Sequence, residues 1–268
     1  MLNYVRISRF RGMNEVRGEL GFCVKSWSAW SSSMGSESDW IDWANGEGTN
    51  NKELSRLDVS NIPPMKRRRM SQLSKMALST ALDCLDDYKK KPTCVFASKN
   101  GELARTIKIL TEVAAKQDIS PTDFSLSVHN TALGLMSIQT QNTQPGTSVA
   151  AGDDTFGYGM LEACFLLHRH PESSVLLVYF DEPLPQVLSS FETNNNEAIC
   201  IALLLSNSGA ETLAANNKDS IHMSFEHTSD SDKIVEDLGK QFLKFYLSSA
   251  DKFAVNGGHK NWQWRKEC

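Results

Sequence analysis

The sequence predicts an α/β fold with buried, partly parallel strands. Segments with helical periodicity alternate with short apolar runs along the chain. The two clearest runs, 175–180 (VLLVYF) and 198–205 (AICIALLL), lack polar alternation, as strands covered on both faces do. With 268 residues, 40 % hydrophobic and 22 % charged, the chain has the length and composition for a single domain with a substantial core.

Each element has its own local reason. Residues 14–30 place Val16, Leu20, Phe22, Val24 and Trp27 in a loosely alternating strand. The polar stretch 31–51 that follows carries Trp40, Ile41 and Trp43, which predicts a loop or short helix anchored by two indoles. After Pro63 and Pro64, a helix is expected from Met65, with Met70, Leu73, Ala77, Ala81 and Leu85 on its buried stripe. Residues 93–98 (TCVFAS) read as a buried strand, and Asn100-Gly101 as a turn into a helix over 102–116. Residues 128–138 form a further apolar segment, 148–151 a strand of small residues, 153–158 a turn and 159–170 a helix. Past Ser206 the chain turns polar, apart from an amphipathic helix over 234–250 carrying Leu238, Phe242, Phe245 and Tyr246. Residues 1–12 read as a start-site extension or disordered arm, and 13–268 as one domain.

Composition also narrows the function. A net charge of −4 supplies no field for nucleic acid. No apolar run approaches the roughly 18 residues of a membrane span, and no apolar core follows Arg6, Arg9 and Arg11 as in a secretory signal. Six scattered cysteines without a CxxC pair fit a reducing, cytoplasmic setting. His168 and His170 are two residues apart, a spacing that puts them on different helix faces, so no metal and no cofactor is expected.

Four segments then occur in a telling order: RRMSQLSKMALSTA (68–81), FASKNGELARTIKIL (96–110), SPTDFSLSVHNTALGLMSI (120–138) and TSVAAGDDTFGYGMLEA (147–163). From Arg67 to Leu205 this order resembles the N-terminal half of the thiolase-like β-ketoacyl synthase family. The short overall length resembles that family's chain-length-factor-like subunits, known from aryl polyene clusters. The resemblance implies a thiolase-like half with a mixed five-stranded sheet, a buried helix and covering helices. It also implies a heterodimer with a β-ketoacyl synthase subunit, an acyl carrier protein as second partner, and a place in aryl polyene or fatty acid biosynthesis.

The departures from that family bear on chemistry. Where active members carry a cysteine at a strand-to-helix elbow, this chain has Asp153, or Asp154 if the turn is one residue shorter. A carboxylate cannot form the acyl-thioester intermediate. Cys164, ten or eleven residues later, reads as core. The family's two histidine motifs have no counterpart after Ser206, and Asn256-Gly257-Gly258-His259 reads as a turn. No catalytic residue is therefore expected. The alternative is an enzyme of decarboxylase or other type that uses Asp153 or Asp154 as general base.

Two further sets follow from the same resemblance. His129, Asn130, Leu133 and Met136 correspond to the pocket and dimer segment, and Leu133 and Met136 are expected to wall off the growing chain. Lys66, Arg67, Arg68 and Arg69 correspond to the region that meets the acidic carrier protein. Four cations at a helix N-terminus are mildly unfavourable, which suggests a use for them.

Overall fold

The long N-terminal strand β1 (Leu20–Ser31) lies in the interior of one eight-stranded sheet, beside β5 (Ile199–Asn207). The computed structural model describes residues 20–47, 54–85, 90–191, 197–207, 220–228 and 237–267. The 1–12 arm lies outside these residues.

Three strands run parallel at one end of the sheet. They are β2 (Thr93–Ala97), β3 (Gly146–Val149) and β4 (Ser174–Asp181), with β2 between the other two. The strand β5 pairs antiparallel to β4 and then to β1. That gives the order β3-β2-β4-β5-β1 for the five expected strands. The sheet then continues past β1 through β6 (Ser220–His227), β8 (Lys260–Glu267) and β7 (Lys252–Asn256). The expectation of five strands is thus corrected to eight among the described residues. The polar character of residues after Ser206 hid strands whose outward side chains face water while Trp262 and Trp264 point into the core.

Strand alternation divides the core in two. The odd-numbered residues Val175, Leu177, Ile201 and Leu203 pack beneath α7 (Thr155–Arg169) and α8 (Leu238–Leu247). The even-numbered residues Leu176, Val178, Ala202 and Leu204 pack beneath α3 (Gln72–Cys84) and α6 (Thr131–Thr140). Complete burial of both faces explains the uninterrupted apolar runs.

Peripheral helices complete the layers. The helix α1 (Glu37–Ala44) begins in a capping box at Ser36 and buries Trp40 completely, so the two-indole stretch is an ordered helix. Lys240 and Lys244 both lie 5.4 Å from the Trp43 ring, which ties α1 to α8. The helix α4 (Leu103–Ala114) is joined to α5 (Pro121–Ser125) by the Lys108–Asp123 ion pair of 2.6 Å.

Two helix boundaries differ from the sequence reading. The helix expected from Met65 is instead a one-turn α2 (Pro64–Arg67), a break, and α3 opening at the Ser71 cap, whose hydroxyl accepts from Ser74 N at 2.9 Å. Lys66 and Arg67 therefore occupy the C-terminal end of a short helix, where cations suit the dipole, and the suggested misfit disappears. The predicted turn at 153–158 is the end of a short 3-10 turn (Gly152–Asp154) followed by the first turn of α7. Its glycines are interior helix positions that permit close packing: a Cβ on Gly159 would stand 2.8 Å from the Ala97 Cβ.

Candidate functional site

The carboxyl ends of parallel strands are where α/β sheets gather chemistry. Here β2, β3 and β4 end around the N-terminus of α7, and the residues between are charged. Asp181, the last residue of β4, is 3 % exposed. It accepts hydrogen bonds from Ser98 Oγ at 2.9 Å, Lys99 N at 2.8 Å and Asn100 N at 3.2 Å. Burial nevertheless pushes its carboxyl up to about 7.

These bonds clamp the turn after β2. Gly101 adopts φ +55° there, and the His129 ring lies against it, with His129 Nε2 2.9 Å from the Ser98 carbonyl oxygen. The clamp aims Lys99 at the elbow, where its ammonium forms an ion pair with Asp153. Asp153 is thus a half-exposed, paired carboxylate.

Asp154 lies next to it but is 1 % exposed. Although at the N-cap of α7, its side chain does not cap its own helix. Its Oδ1 accepts from Trp262 Nε1 at 2.8 Å and its Oδ2 from the His259 backbone N at 2.7 Å. Below the elbow, Tyr179 donates its hydroxyl to Asp237 at 2.7 Å, and burial raises both groups. Cys164 is fully buried in α7 and burial pushes its thiol up to about 12, far from the thiolate a nucleophile needs. Among the described residues no cluster of His, Cys, Asp or Glu is arranged to hold a metal ion.

The structure brings Asp153, Asp154 and His129 to one end of the sheet and places the other candidates nearby or apart from it. Asn130 is exposed at the N-cap of α6. Leu133 is half-buried over the start of β3, where a Cβ on Gly146 would come within 2.8 Å of its Cδ1. Met136 is 1 % exposed and belongs to the core beneath α3 and α6. Lys66, Arg68 and Arg69 are exposed and Arg67 half-buried. Lys66 bonds Gln139 of α6 at 2.7 Å, and the Arg69 carbonyl accepts from Arg105 at 3.2 Å, so the basic run sits beside α6 and α4.

Lys99, Asp181, Trp262 and Tyr179 were not among the residues predicted for the site. Asp181 had a legible signal, a carboxylate closing a wholly apolar strand. The contribution of Trp262 had none, since its partner lies 108 residues away.

The family model described as "Beta-ketoacyl synthase, N-terminal domain" matches residues 40–265. The chain belongs to that family. Among solved structures, it is 26 % identical to a chain of a ketosynthase (ApeO) in complex with its chain length factor (ApeC) from Xenorhabdus doucetiae. That match covers 92 % of this chain and 99 % of the other, with a TM-score of 0.79. A chain of the ishigamide ketosynthase/chain length factor is 15 % identical, covering 79 % of this chain and 68 % of that one, with a TM-score of 0.63. A chain from a complex described as a type II PKS acyl-carrier protein with its ketosynthase bound to the hexaketide is 12 % identical. It covers 78 % and 70 % of the two chains, with a TM-score of 0.58. The last two likenesses concern the fold. No protein of curated function matches the chain. The α/β, thiolase-like fold expected from the sequence is the fold found. No helix among the described residues is long and apolar enough to cross a membrane.

Proposed function

We propose that this chain is a chain-length-factor-like subunit. In this reading it pairs with a β-ketoacyl-ACP synthase in aryl polyene or fatty acid-type biosynthesis and contributes no nucleophile. The observation that carries the reading is the outer edge of β3. That strand pairs only with β2 among the described residues, which leaves one side of its backbone open. The two helices packed on β3 present exposed apolar side chains, Ile138 on α6 at 69 % exposure and Phe165 on α7 at 53 %. An open strand edge between uncovered apolar groups suits a partner that adds a strand and buries both. Support for the partner's identity comes from the similarity to a chain of a ketosynthase–chain length factor complex.

Within this reading, aspartates at positions 153 and 154 leave the thioester chemistry to the partner's cysteine. Leu133, beside the open edge, limits the acyl chain with Met136 packed behind it, and His129 and Asn130 border the same interface. The exposed cations of 66–69 steer the acidic acyl carrier protein by charge.

The test is co-expression with a full-length β-ketoacyl synthase followed by co-purification. A stable pair is expected, lost when Ile138→Lys and Phe165→Glu are combined. Leu133→Ala should lengthen the products of the reconstituted pair. A chain that stays alone beside every co-expressed synthase, or a pair indifferent to the double substitution, would overturn the reading.

A further inference from the structure

We infer that the β7–β8 hairpin is a built-in stopper for the elbow, drawn onto the N-terminal end of α7 by Asp154. Three independent contacts meet there. First, both carboxylate oxygens of Asp154 are taken by donors of this hairpin, Trp262 Nε1 and the His259 backbone. Second, the turn between β7 and β8 lies directly against the carboxylate. A Cβ on Gly257 would fall 1.9 Å from Asp154 Oδ1, and one on Gly258 would lie 3.4 Å from both Asp153 Cβ and Asp154 Oδ2. Third, the Trp262 indole lies against the helix at Gly157, with a Tyr158 ring edge-on at 5.5 Å and Phe225 at 5.2 Å on centroids. Trp262 has no exposed surface.

The arrangement has a chemical consequence. A general base needs a lone pair open to its substrate, and Asp154 is 1 % exposed with each oxygen engaged by an N–H of the hairpin. A thioester approaching α7 from this side meets the glycine turn and the indole instead. Asp154 is thus a fastener, and the hairpin covers this side of the elbow with protein. The glycines have a matching reason: at Gly157 and Gly257 any side chain would occupy space that the indole or the carboxylate fills.

Amide hydrogen exchange on the full chain tests this, with limited proteolysis at the exposed bend 248–251 as a second readout. Asp154→Ala and Gly257→Ala should each speed exchange at residues 257–262 by roughly 10- to 100-fold, the range for losing a hydrogen bond to a charged group. Asp154→Asn keeps one acceptor and should fall between. Asp153→Asn, whose partner is Lys99, should leave the hairpin as it is, and β4 and β5 amides should stay protected in every variant. If Asp154→Ala fails to fold, Asp154→Asn and Gly257→Ala carry the same comparison. Unchanged hairpin protection in the Asp154 and Gly257 variants would overturn the inference, as would equal loss in Asp153→Asn or loss of core protection along with the hairpin. The experiment uses this chain alone, so failure to pair with a synthase is a separate result.

Discussion

Gly157→Ala should destabilise this protein although the same change inside a helix ordinarily helps. Replacing glycine by alanine in a helix interior gains up to about 1 kcal/mol of propensity. At position 157 the new Cβ would stand 2.3, 2.4 and 2.6 Å from three atoms of the Trp262 indole. The ring has no free direction of retreat: its nitrogen is bonded to Asp154, Tyr158 and Phe225 pack on it, and it is fully buried. Overpacking of a tight core costs roughly 1–3 kcal/mol. Displacing the indole also loses a hydrogen bond to a charged group, worth about 1.5–3 kcal/mol. Cost exceeds gain, so a net loss of roughly 1.5–5 kcal/mol is expected. Gly134 in α6 is the internal control, since a Cβ there meets nothing within 4 Å. Gly134→Ala should gain up to about 1 kcal/mol. Urea unfolding followed by far-UV circular dichroism separates the two through opposite shifts of midpoint at constant slope. Combining Gly157→Ala with Trp262→Phe, which shortens the ring, should recover part of the loss and show coupling of about 1 kcal/mol or more. A Gly157→Ala midpoint as high as that of Gly134→Ala would refute the packing argument.

Two further outcomes follow from other sites. Met136→Ala should cost about 2–5 kcal/mol in the same assay, because Met136, on α6, is fully buried in the core shared with α3; Leu133→Ala, at a half-buried position, should cost less. Asp181 is held near 7 by burial, above its ordinary 3.8, so the folded state binds its proton more tightly than the unfolded chain. The stability from this group is therefore complete below about pH 4 and declines as pH rises to about 7, by a few kcal/mol at most, on the order set by the linkage relation. Asp181→Asn should flatten the pH dependence of the urea midpoint over that window, and an unchanged profile would remove Asp181 as its source.

The central fold was legible because its strands are covered on both faces. Burial leaves an unbroken apolar run in β4 and β5, and α3 announces itself by a stripe spaced at three and four residues. The outer strands β6, β7 and β8 were not legible, because they share their residues between a core face and water. In β8 the sequence KNWQWRKE contains two indoles that bury completely and charged neighbours that do not. The same limit governed the site. Asp153 and Asp154 were placed by their position before α7, yet their different fates depend on partners 54 and 108 residues away, Lys99 and Trp262. No local spacing encodes such contacts. The glycines of FGYG misled for a related reason: glycine disfavours a helix by about 1 kcal/mol, and here tertiary approach of Trp262 and Ala97 to the helix requires it.

The two aspartates show how the C-terminal strands of this chain are fastened onto its central layers. In this chain the sheet grows sideways past β1, and α8 with the hairpin covers α7 and the odd face of the core. That cover must be attached at the elbow, where the hairpin turn meets the end of α7. An aspartate there supplies two acceptors at once, to an indole and to a backbone amide. A cysteine's sulfur is a weak acceptor that cannot replace them. Asp154 is thus suited to hold the C-terminal cover in place. A cysteine placed at position 154 would then loosen the hairpin, since it removes both acceptors.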